Sequence, residues 1–223
     1  MSATLPTLST SPVPTTSAAG LPFPPANGSK PELPAAGFGI DRFRRFTVEQ
    51  YNRMIEMGVL GESEPVELLD GYLVEKMSRN DPHDSRLSRI TRMLRAVLPA
   101  SWMDRGQMAL ELEASVPEPD LCIVRFDPDD YAARTPQVGD LGLVIEVADS
   151  SRRIDTTVKI LTYARGNVPE YWVVNIPDRQ LEVFTQPSPT GYGTRQVFPA
   201  GTLVPVILDG QTVASLDMTE LFR

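Results

Sequence analysis

Histidine and cysteine are nearly missing from this 223-residue chain, which holds one of each, His83 and Cys122. With a single cysteine no intramolecular disulfide can form, and so few soft ligands exclude the structural zinc frameworks. Cys122 stands inside the apolar run Leu121-Cys122-Ile123-Val124 and reads as a buried small hydrophobe, in keeping with a reducing cytoplasm. No apolar run approaches the roughly 18 residues that cross a bilayer. The first residues also lack the basic start and apolar centre of a signal peptide, so a cytoplasmic protein with no membrane partner is expected. Positive charge is in deficit as well: 21 Lys and Arg stand against 29 Asp and Glu, for a net charge of -8. That balance counts only weakly against nucleic acid, because the field at a cleft, with any bound cation, matters more than total charge. Charge of either sign is scarce in residues 1–40, where only Lys30 and Glu32 carry it. That stretch is rich in Pro, Ser, Thr, Ala and Gly without a sustained period, and it reads as a disordered tail before one domain over 41–223. At 41% hydrophobic residues the chain can bury one full core.

The domain shows alternating strand and helix signals. Thr47 caps a helix through Met57 that Gly58 ends, and Val66–Lys76 reads as a hairpin around Asp70-Gly71, a strong two-residue turn signal. That register pairs Leu69 with Tyr72 and sets Glu67 opposite Val74, on a face shared with Leu69 and Tyr72. Glu67 is then either an inward acidic group or an exposed edge-strand glutamate. Pro82–Leu98 is helical, with Leu87, Ile90 and Leu94 forming one apolar stripe. Arg86, Arg89, Arg92 and Arg95 recur every third residue on its other side, either as a solvated face or as a phosphate-contacting stripe. His83 stands in the first turn of this helix, where it either orients a water or phosphate or caps the helix. Met108–Val116 is expected as a strand. Further strands are expected at Glu170–Asn175, Leu181–Thr185, Gly191–Pro199 and Leu203–Leu208, before a short helical turn capped by Asp217.

Two central strands carry acidic groups that a plain core would not hold. Asp120 opens the first apolar run, and Glu146 sits near the end of Leu141–Val147. Desolvating a carboxylate costs several kcal/mol, so a buried strand keeps one mainly when a metal, a cation or a hydrogen-bond network holds it. Two neighbouring strands that both present one invite a divalent metal. Beyond them a helix marked by Ile154, Val158, Leu161 and Arg165 ends at Gly166-Asn167. On it Lys159 either forms an ordinary pair with Asp155 or reaches back over the end of the Glu146 strand.

The order ELLDG, a helix with an early His, PD, then IEV-x-x-S-S-x-R-x-x-D-x-x-x-K-x-x-x-Y and VPEYWVVN resembles the Uma-two family, named for restriction endonucleases within the PD-(D/E)XK nuclease superfamily. The likeness spans about residues 43–222. It implies an α/β (α+β) restriction-endonuclease-like fold, a mixed sheet flanked by helices with a divalent-metal site at one end. Asp120 matches the PD aspartate and Glu146 the second acidic position. The superfamily lysine would fall two residues later, where this chain has Ala148; in the resembled family it has moved to the following helix, at Lys159. Ala148 is small enough to leave room for that longer side chain. Glu67 matches the glutamate of the E-x-x-D-G hairpin, while His83, Asp155 and Tyr163 match recurrent positions.

The resemblance implies metal-assisted hydrolysis of phosphodiester bonds, with DNA as the expected substrate. Asp120 and Glu146, with the Val147 carbonyl, are the expected ligands of Mg²⁺ or Mn²⁺. Lys159 and Glu67 join them as catalytic candidates, and His83 and Arg86 as substrate contacts. A homodimer is a possible arrangement for cutting two strands. The competing expectation is a non-catalytic nuclease-like scaffold in which Glu146 pairs with Lys159 in place of a metal.

Overall fold

The computed structural model of the protein describes residues 43–61, 65–76, 80–149 and 157–223. The expected tail over 1–40, and Ile154 and Asp155, lie outside these residues. Residues 44–223 form one compact unit.

Its centre is a six-stranded mixed sheet in the order β3-β4-β5-β6-β7-β8. The strands are β3 (Trp102–Gly106), β4 (Leu121–Arg125), β5 (Leu141–Ala148), β6 (Glu170–Asn175), β7 (Gln180–Ser188) and β8 (Gly191–Pro199). All neighbours are antiparallel except β5 and β6, which run parallel and are joined through helix α3 (Val158–Arg165). Two side hairpins complete the strands: β1 (Val66–Leu69) with β2 (Tyr72–Glu75), and β9 (Leu203–Leu208) with β10 (Gln211–Asp217).

Strand alternation divides the core into two layers. Leu121, Ile123, Ile145, Val147, Trp172 and Val174 face one side. There they pack with Ile90 and Leu94 of α2 (Asp81–Arg95), the β9–β10 hairpin and α4 (Met218–Phe222). Cys122, Val144, Ala148, Tyr171, Val173 and Phe184 face the other, under Tyr163 of α3. Cys122 is buried, and its burial pushes the thiol pKa up, as a small hydrophobe would have it. A third, smaller cluster joins Tyr51 of α1 (Val48–Glu56) to Leu68 and Val116.

Local chemistry explains the ends of these elements. Thr47 closes a capping box with Gln50 at the start of α1, and Gly58 stops the helix in the left-handed region at φ 69°. The hairpin takes the expected register, Leu69 with Tyr72 and Glu67 with Val74, and Glu67 is buried. One expectation fails. Met108–Val116 is not a strand, because it folds back on itself: the Leu112 N–H donates to Ser115 O at 2.9 Å. The rest of its tip serves the β1–β2 turn, with Ser115 Oγ accepting from Asp70 N at 2.8 Å and Ala114 O from Gly71 N at 2.9 Å. The strand that pairs with β4 is instead Trp102–Gly106, an edge strand whose charged Asp104 and Arg105 hide the period. Among the described residues no helix is long and apolar enough to cross a membrane.

Candidate active site

The site lies where β4 and β5 meet. Leu121 pairs with Ile145, so Asp120, one residue outside β4, comes opposite Glu146. Backbone groups fix the two carboxylates reciprocally. The Val147 N–H donates to Asp120 Oδ2 at 2.8 Å, and the Asp120 N–H makes a longer contact of 3.4 Å with Glu146 Oε2. β5 runs on past the start of β4, which leaves the Val147 N–H available for a side chain.

Three other elements close on this pair. From α2, His83 brings Nε2 to 3.0 Å from Asp120 Oδ2 and Nδ1 to 3.1 Å from Asp84 Oδ1. Asn80 sets that helix start: its Oδ1 accepts the His83 N–H at 3.1 Å while its Nδ2 donates to Asp149 Oδ2 at 2.7 Å, tying α2 to the end of β5. From α3, Lys159 places Nζ 2.8 Å from Glu146 Oε1 and 3.3 Å from Glu67 Oε1. Ala148, where the superfamily pattern would put a lysine, is fully buried. Glu67 arrives on β1, its other oxygen accepting the Glu118 N–H at 3.1 Å.

Tyr163 is the residue whose part the sequence does not reveal. It lies one helical turn after Lys159 on α3, and its hydroxyl donates to the same Glu146 Oε1 at 2.8 Å. Burial, and then the charges of Glu146 and Glu67, push the phenol pKa well up, so it stays a donor. The i,i+4 spacing from Lys159 was the available signal.

The electrostatics follow from burial opposed by partners. Burial alone pushes the Asp120 carboxyl up, but the His83 hydrogen bond and charge, the Val147 N–H and Lys159 outweigh it and hold the pKa below the ordinary value. For His83 burial pushes the imidazole down, and the carboxylates of Asp120 and Asp84 reverse this and raise it. Arg86, one turn beyond His83, is half-buried. It is not drawn into this cluster by any hydrogen bond or ion pair.

A divalent metal can be tested against these donors. Among the described residues no three His, Cys, Asp or Glu side chains converge as a ready cage. Mg²⁺ needs less, since one or two carboxylates with waters and substrate oxygens commonly hold it. Asp120 Oδ2 is taken by Val147 and His83, whereas among the described residues Oδ1 accepts no hydrogen bond, and the side chain keeps 14% exposure. The neighbouring donor is a second carboxylate, and the only thiol is sealed in the core. This donor set fits a hard cation.

A mixed sheet carrying an aspartate and a glutamate at adjacent strand ends, with a lysine reaching over from the crossover helix, defines a nuclease-like α/β domain. The chain belongs to the Uma2 family, described as "Putative restriction endonuclease", whose model matches residues 48–218. Its structure is similar to the crystal structure of a protein from Anabaena variabilis ATCC 29413, titled a putative nuclease belonging to DUF820. The TM-score is 0.62 and the identity 16%, over 79% of this chain and 97% of that one. No curated protein sequence matches the chain. The structural likeness establishes the fold, and the family membership supports a nuclease-like function.

Proposed function

We propose that the protein is a divalent-metal-dependent endonuclease that hydrolyses phosphodiester bonds of DNA. The observation that supports this most is the Asp120–Glu146 pair, held side by side by backbone hydrogen bonds, with one Asp120 oxygen accepting from no donor among the described residues. Asp120 and Glu146, with the Val147 carbonyl, would hold Mg²⁺ or Mn²⁺. When bound, the cation polarises a phosphate oxygen and lowers the pKa of a water. The remaining chemistry belongs to the chain. Lys159 orients that water or stabilises the negative charge that develops on the phosphoryl group. Glu67 and Glu146 hold its ammonium in place, Tyr163 fixes Glu146, and His83 fixes Asp120 while facing the substrate side with Arg86. A homodimer, with one site for each strand, belongs to the same proposal and is read from the mass in solution.

The second reading, a non-catalytic scaffold, is favoured by one observation: the Glu146–Lys159 ion pair is formed, and buried pairs of this kind also occur for structural reasons. Labelled DNA duplex and single strands, incubated with the purified protein and Mg²⁺ or Mn²⁺, separate the two. Metal-dependent cutting that disappears in Glu146→Gln and Lys159→Ala, both still folded, supports the nuclease. A folded wild type that neither cuts nor binds metal, with Lys159→Ala alone strongly destabilised, supports the scaffold.

A further inference from the structure

The four arginines along α2 differ in what they bind. Arg95 lies fork to fork on Asp104, Nε to Oδ1 at 2.7 Å and NH2 to Oδ2 at 2.8 Å. Arg89 donates to the backbone oxygens of Glu220 and Arg223. Arg92 is exposed, on the rim of two shallow grooves along the helix. Arg86 differs from all three, because it is half-buried and its Nε is sealed from water with no acceptor. Burial, and then the charges of Arg89 and Arg179, push its pKa down, so the charges acting on it are cationic. A sealed donor without an acceptor destabilises the fold, and like charges add to that. The chain has 29 acidic side chains, yet none of those described is bonded to Arg86.

Arg179 is the other cation of this pair. It sits in the β6–β7 turn at φ 51°, held through its backbone: its N–H donates to Ile176 O and its carbonyl accepts from Ala200 N, both at 3.1 Å. Its side chain is exposed and makes no hydrogen bond or ion pair among the described residues. The topology brings both residues to the end of the sheet where Asp120 and Glu146 lie. β6 ends at Asn175, paired with Ala148, two residues past Glu146, and the turn with Arg179 follows directly. Arg86 follows His83, which touches Asp120, by three residues, or about 4.5 Å along the helix.

We propose that Arg86 and Arg179 together seat one backbone phosphate of a DNA strand, next to the phosphodiester presented to Asp120 and Glu146. This deepens the nuclease reading and rests on it. A phosphate between the two guanidiniums serves as their shared counter-ion, cancels the repulsion between like charges, and suits the planar fork that arginine offers to paired oxygens. The contact is to the backbone, so it positions a strand without reading its bases. It also explains how a chain with net charge -8 holds a polyanion: the cations are grouped at one strand end.

The test is fluorescence anisotropy of a labelled DNA duplex in EDTA, where binding is read without cutting. Wild type is compared with Arg86→Ala, Arg179→Ala, the double variant and Arg92→Ala, each checked by thermal melting. Each single variant at 86 or 179 is expected to lose about threefold to tenfold in affinity. The double variant should lower the slope of log K against log salt by roughly 1, the mark of one lost phosphate contact. Arg92→Ala should bind as wild type does. Should the double variant fold poorly, Arg179→Glu on the exposed turn carries the test alone, with a loss beyond tenfold expected. Wild-type affinity and salt slope in the double variant, or in its place in Arg179→Glu, or a wild type that binds no DNA, overturns the proposal. If binding depends on both arginines but the wild type never cuts with any metal, the phosphate seat stands and the nuclease reading falls. Cutting by the wild type, with binding indifferent to both arginines, has the opposite meaning.

Discussion

Two buried carboxylates lie in one row of the sheet, Glu146 on β5 and Glu182 on β7, with Val173 between them and paired to both. They share a face and a degree of burial, but their surroundings differ. Glu182 accepts from Asn175 Nδ2 at 2.9 Å and Gln180 Nε2 at 3.1 Å on one oxygen. On the other it accepts from Arg195 Nε at 3.0 Å and NH2 at 2.9 Å. Burial pushes this carboxyl up, and those donors outweigh it and lower the pKa. One acid meets one guanidinium whose far side reaches solvent, at 52% exposure. Around Glu146, by contrast, Glu67, Glu146, Asp120 and Asp84 share one ammonium and one imidazole among the described residues, and no described donor reaches Asp120 Oδ1. Glu182 is saturated by its neighbours, whereas Glu146 has an unsaturated acid beside it. Burial alone does not distinguish them.

The largest effect should separate the two clusters outright. Glu146→Gln is expected to lower metal-dependent cleavage by about a thousandfold, whereas Glu182→Gln should leave cleavage per folded molecule within roughly twofold. Gel assays normalised to folded protein check this, and equal losses would erase the distinction. Next comes stability. Lys159→Met leaves Glu67 and Glu146 buried without their ammonium, and in EDTA it should cost about 3–5 kcal/mol by urea unfolding. Part should return on adding Mg²⁺, because a ligand of the folded state stabilises it. Arg195→Met should respond to no cation.

Another buried carboxylate sharpens the contrast through pH. Glu170 lies on the opposite face of β6 and takes one hydrogen bond, from Trp172 Nε1 at 2.5 Å. Burial pushes its carboxyl from an ordinary 4.5 up to about 7, against the smaller pull of that bond. Between these values the folded state holds a proton that the unfolded chain has lost, so stability falls as pH rises through the window and levels off above about 7. The whole change is at most about 3 kcal/mol. Chemical denaturation at several pH values should show it, and Glu170→Gln should flatten that part of the curve. The smallest effect is Tyr163→Phe. It removes one donor from Glu146 and should cost about 1 kcal/mol in stability with roughly a tenfold loss in cleavage.

Much of the site was legible because strand alternation and turn chemistry act locally. Asp70-Gly71 fixed the hairpin register that turns Glu67 inward, and the apolar neighbours of Asp120 and Glu146 marked both as out of place. A second hairpin, β9–β10, was half missed, although Asp209-Gly210 carries the same turn signal and Asp209 adopts φ 53°. Its second strand, Gln211–Asp217, is mostly exposed and polar, so no apolar alternation announces it. The Met108–Val116 segment misled in the other direction. Its Leu110, Leu112 and Val116 are buried in the core, but its backbone folds back on itself and its tip bonds a turn far away in sequence. Tyr163 and the split among the α2 arginines needed coordinates, since both depend on which acceptor each side chain meets.

The parallel pair β5–β6 also ties the assembly of the site to a long-range contact. Glu67, His83, Asp120, Glu146 and Lys159 come from five separate stretches, and β5 is braced by β6, whose Tyr171 ring lies 4.8 Å from that of Tyr163. Contacts this distant in sequence form late, since long loops must close first. A nascent chain halted before Tyr171 therefore has every acidic group of the site but not the strand that braces them. Assembly of the cluster thus waits on the crossover that brings β6 beside β5, and a truncated chain carries the residues without their arrangement.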